Sequence, residues 1–62
     1  MSELQLLLKR LAEDRQSYEA TLLRGKAVDF AEYRQLVGTI LGLVRAENIV
    51  KDLVQRLEKS DE

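Results

Sequence analysis

From Phe30 to Lys59 the chain runs without proline, and its apolar residues keep a helical period yet do not stay on one side of the helix. At 100° per residue, Leu36, Ile40, Leu43, Val50, Val54 and Leu57 form one stripe. Tyr33, Val37 and Val44 flank it on one side, and Gly38, Gly42, Ala46, Ile49 and Leu53 lie on the other. The polar face is narrow: Arg34, Arg45, Asp52 and Arg56. A helix packed on a single neighbour needs a stripe only a little wider than about 100°. This helix therefore asks for two burial partners, and a chain of 62 residues can supply one.

The first partner is legible upstream. Ser2 and Gln5 have the spacing of a capping box, in which a hydroxyl and a side-chain amide satisfy the first free N–H groups. Leu4, Leu8, Leu11, Tyr18 and Leu22 then share a helical face, with Arg15 in the place of a missing apolar residue. Arg15 is expected to lay its stem over apolar neighbours and keep its head in water. Gly25 reads as a left-handed C-terminal stop. Asp29 with Glu32 gives a second capping box, and Val28 with Tyr33 fits a hydrophobic staple. The chain is thus read as one all-α unit, residues 1–62: helix 1 over 3–24, a turn over 25–29, helix 2 over 30–59 and a frayed tail over 60–62.

So short a connection makes an antiparallel two-helix hairpin. Counting outward from the turn with the helix ends level, Leu22 falls beside Tyr33, Tyr18 beside Leu36, Leu11 beside Leu43 and Leu4 beside Val50. The expected intrachain core is Leu4, Leu8, Leu11, Tyr18, Leu22, Tyr33, Leu36, Ile40, Leu43 and Val50. In that register helix 2 outruns helix 1 by about two turns at its C-terminal end, carrying Leu53, Val54 and Leu57. Gly38, Gly42, Ala46, Ile49, Leu53, Val54 and Leu57 become the expected interface with another chain. Each glycine costs roughly 1 kcal/mol against alanine inside a helix. A groove of small residues that admits another backbone gives that cost a purpose; the competing reading is room for Leu or Phe side chains within the hairpin. Assembly as a homodimeric four-helix bundle or larger oligomer follows. Glu47 falls in the apolar stripe near the level of Leu8, either a buried charge that sets register or a rim charge that pairs with Lys51.

Composition narrows the chemistry. The chain has no cysteine and no histidine, so no disulfide, no thiolate metal site and no imidazole base. Ser2, Ser17 and Ser60 have nothing to activate them. Glu13 with Asp14, and Glu47 with Asp52, match no oxygen-rich cation loop. No catalytic residue, metal or cofactor is expected, and the chain reads as a non-enzyme. Ten basic and eleven acidic residues alternate along the chain, which argues against a broad grip on nucleic acid. Arg24, Lys26 and Arg34 gather near one turn as the one candidate for weak phosphate contacts; solvated charge at a helix end is the competing reading. No stretch resembles a signal peptide or a membrane span, which points to the cytoplasm.

The run "DFAEYRQLVGTILGLVRAENIVKDLVQRL" resembles small proteins encoded by tailed bacteriophages. In these a short first helix precedes a segment of the type "EYxxLVGxIxGLxxAxxIxxDL". The matching residues are Glu32, Tyr33, Leu36, Val37, Gly38, Ile40, Gly42, Leu43, Ala46, Ile49, Asp52 and Leu53. The resemblance covers residues 29–57 and implies a small phage protein of the host cytoplasm or the virion, encoded among assembly genes. It assigns no functional residue. In size and hairpin logic the chain is also similar to small plasmid-encoded four-helix-bundle dimers that bind RNA, but it lacks their basic face. The expected function is therefore a phage structural or assembly component that binds copies of itself and packs on a larger protein. The alternative is a regulatory module that inhibits a host protein or binds RNA.

Overall fold

A computed structural model describes residues 2–25 and 29–60. Helix α1 spans Glu3–Leu23 and helix α2 spans Phe30–Ser60, and the two pack side by side as an all-α antiparallel hairpin. At the start of α1 the Ser2 hydroxyl accepts from the Gln5 N–H at 3.1 Å, and the Gln5 side chain accepts from the Ser2 N–H at 3.1 Å. Both halves of the capping box are thus made. Arg24 caps the other end, its N–H donating to the Ala20 carbonyl. Gly25 then turns left-handed with φ +68°, a conformation that a side chain would oppose. Asp29 accepts from the Glu32 N–H at 2.8 Å and so caps α2. Val28, Lys26 and residues 61–62 lie outside the described residues, and with them the proposed staple and most of the turn and tail. Ser60, read from sequence as tail, is in α2.

The register differs from the level-ended one by about two turns. Arg15 meets Glu47 rather than the level of Ile40. Leu22 and Leu23 share a groove with Val37, Ile40 and Leu41, and Leu4 shares a recess with Val54 and Leu57 rather than packing beside Val50. The overhang therefore sits at the opposite end of α2 from the one expected. The first two turns of α2, with Phe30 and Tyr33, project past the end of α1, while Val54 is half-buried against its start. The physical reason is the charge in each apolar stripe. In the level-ended register Glu47 would lie against Leu8 with at most Lys51 of its own helix as a donor, and a carboxylate taken into an apolar contact without good pairing is costly. The slide brings the two charged groups together.

The fold has a single layer. Its Cα extents are 51 × 17 × 12 Å and its radius of gyration is 14.7 Å, where a compact chain of this length has about 11 Å. Domains ordinarily close a core between two packed layers. Here Val50 and Glu47 are the only buried side chains among the described residues. Leu4, Leu8, Leu11, Leu22, Leu36, Ile40 and Leu43 are half-buried between the helices. Tyr18 and Tyr33, expected in the core, are 36% and 46% exposed. Tyr33 is displaced by the register, and Tyr18 lies at the margin of the α1 contact face.

Candidate functional site: an open apolar surface and one buried ion pair

The polar centre of the hairpin is built from three side chains. Arg15 Nε donates to Glu47 Oε2 at 2.6 Å and Nη2 donates to Oε1 at 3.3 Å. Nη1 donates to Glu19 Oε1 at 2.7 Å, one turn along α1. Glu47 is 5% exposed, so it is neither a rim charge nor a partner of Lys51. The Arg15 head is turned to the two carboxylates with its side chain still 24% exposed, where its sequence position alone suggested a head held out in water. The hydrogen bond to Glu47 holds the guanidinium above the usual arginine range. Every buried side-chain nitrogen and oxygen among the described residues has a partner. A fork-shaped donor shared by two carboxylates is a structural clamp.

Outside this clamp large apolar side chains are exposed on both helices. Gly38 and Gly42 lie on α2 with nothing within 4 Å of the position a Cβ would take. They do not make room for side chains of their own hairpin, which removes that competing reading. Down the same side of α2 follow Ala46, Ile49, Leu53 and Leu57, with Ile49 60%, Leu53 43% and Leu57 50% exposed. By helical phase Leu7 and Tyr18 of α1 border this face, and both are exposed. Helices packed face to face in a bundle present surfaces of this kind to one another.

A second apolar surface lies on the other side, at the turn end, and sequence reasoning did not single it out. Its floor is the groove of Leu22, Val37 and Ile40, and its rim carries Leu23 and Leu41. Leu23 is 87% exposed, Leu41 61% and Phe30 71%. The rings of Phe30 and Tyr33 stack with centroids 6.4 Å apart, and the Arg34 guanidinium lies 5.9 Å from the centre of the Phe30 ring. The signal available beforehand was the 3,4,3,4 spacing of residues 30, 33, 37, 40 and 44. It was masked by assigning Tyr33 and Ile40 to the hairpin core.

Of the phosphate candidates, Arg24 and Arg34 are exposed and Lys26 is outside the described residues. No group of three or more potential metal ligands occurs among the described residues. No helix there is long and apolar enough to cross a membrane. Compared with known family profiles, curated proteins and solved structures, the chain matches none.

Proposed function

We propose that this is a non-enzymatic interaction protein, a helical hairpin that pairs with a second copy of itself as half of a four-helix bundle and packs on a larger protein. One observation carries the reading. The hairpin exposes 5130 Å². A folded monomer of 7.1 kDa exposes roughly 4,100 Å². The excess, about 1,000 Å², is of the size that one partner buries in a standard protein interface, about 800 Å². The elongated single layer accounts for it, and another helical layer is what would remove it.

The face of Gly38, Gly42, Ala46, Ile49, Leu53 and Leu57 is the surface for the second copy. Its small residues let two helix backbones approach closely, so that dispersion contacts form across the groove. The absence of histidine and cysteine, and the engagement of the one buried carboxylate by Arg15, support a role without chemistry. The resemblance of residues 29–57 to tailed-phage proteins makes an assembling particle the setting in which to seek the larger partner. Sedimentation equilibrium of the purified protein, with melting followed over a hundredfold range of concentration, tests the pairing. A dimer or higher species and a midpoint that rises with concentration are expected. A monomer at all concentrations, with a constant midpoint, would overturn it.

A further inference from the structure

The turn-end surface is separate from the pairing face, and its make-up identifies a different occupant. Phe30, Tyr33, Val37, Ile40 and Val44 follow the 3,4,3,4 spacing with which one helix meets another, over about two heptads. The first two of these project beyond the end of α1, and both are exposed. By helical phase Arg34 and Arg45 run along the outer edge of this seam, with Leu41 between them. Neither arginine has a carboxylate partner among the described residues. Glu19, on the inner edge, is held by Arg15. The seam thus combines exposed aromatic anchors with uncompensated positive charge on one flank.

We infer that this seam binds an amphipathic helix of a partner protein that carries acidic side chains along one flank of its apolar stripe. The apolar stripe would lie along Phe30, Tyr33, Val37 and Leu41, and its carboxylates would face Arg34 and Arg45. Aromatic and arginine side chains concentrate binding energy at such contacts, and the opposite charges would fix the direction of the bound helix. This inference rests on the reading that the hairpin packs on a larger protein. It does not depend on the pairing face, so the two can fail separately.

The test is fluorescence anisotropy with two synthetic peptides of about 18 residues, long enough to cover the seam. They share leucines at i, i+3, i+4 and i+7 and differ only in glutamate or lysine along one flank. The glutamate peptide should bind saturably and at least tenfold more tightly than the lysine peptide. The double substitution Arg34→Glu with Arg45→Glu should invert that preference. Leu41→Asp should weaken the glutamate peptide at least tenfold, with Leu41→Ser as a milder second variant. Circular dichroism will show both variants folded, since Leu41 is exposed. Equal binding of the two peptides, or no saturable binding of the glutamate peptide, overturns the inference. So does a Leu41→Asp variant that loses self-association, because the seam would then belong to the second copy.

Discussion

Arg15 Nε and Glu47 Oε2 lie 2.6 Å apart across the two helices, and the carboxylate is 5% exposed while the arginine side chain is 24% exposed. The asymmetry predicts unequal consequences. Arg15→Leu leaves a carboxylate buried without a donor, whereas Glu47→Leu leaves an arginine that still holds Glu19 and can reach water. The first should lower the melting midpoint by roughly 10 °C or more, the second by about half as much. The double leucine variant should recover most of the loss, because the apolar stripes then face each other unbroken. Thermal melts of the four proteins at one concentration check this. Equal losses from both single substitutions would contradict it.

The upward shift of the Arg15 guanidinium sets the sign of its pH effect. A group whose folded-state value is raised contributes stability fully at pH below its unfolded value, and loses it as pH rises through the folded value. For arginine both values are strongly alkaline. The midpoint should therefore carry no Arg15-linked slope between about pH 6 and 9. Superposing the pH profiles of the wild type and the double variant Arg15→Leu with Glu47→Leu, after aligning their absolute midpoints, is the check. A slope in that window confined to the wild type would refute the assignment.

Gly38 and Gly42 separate the stability of a hairpin from that of its pairs. With open space at each Cβ position, alanine should strengthen the isolated helix by about 1 kcal/mol per site. Leucine at both positions should instead weaken self-association at least tenfold by holding the second helix away. Helicity at high dilution and sedimentation at high concentration read the two effects independently. Dimerisation unchanged by leucine at both sites would remove these glycines from the interface.

The helix ends make smaller, local predictions. Ser2→Ala removes one half of the capping box and should cost about 1 kcal/mol. Gly25→Ala forces a side chain to φ +68° and should cost roughly 1–2 kcal/mol. Hydrogen exchange at the first turn of α1 should quicken in the former. In the latter, the change should centre on the last turn of α1 near Leu22 and Arg24. Global loss of protection from Ser2→Ala would show that the cap holds more than its own turn.

Much of the fold was written locally. Ser2 with Gln5, Gly25, and Asp29 with Glu32 mark boundaries through chemistry that acts within four residues, and each does so in the structure. The relative slide of the helices was not written that way. Leucines at heptad-like spacing pack almost equally well in registers two turns apart, so apolar periodicity leaves the choice open. What distinguishes the registers is whether Arg15 and Glu47 meet, a relation across thirty-two positions that no local pattern displays. Reading Arg15 as a gap in one stripe and Glu47 as a blemish in the other hid that each completes its partner. The turn-end surface was lost with the register, since a level-ended hairpin would have covered Tyr33. The open side at Gly38 and Gly42 was legible because a helix with apolar residues around most of its circumference exceeds what one neighbour can cover.

The 12 Å thickness of the hairpin has a consequence for how its sequence can change. In a two-layer domain most apolar positions are fixed from within, by neighbours of the same chain. Here only those between the two helices are. A substitution at Gly42, Ile49 or Leu41 alters no contact that the chain makes with itself strongly enough to forbid it. On the proposed reading, selection on those positions acts through the molecule that lies against them, so drift in this protein should follow the drift of its partners rather than the demands of its own folding.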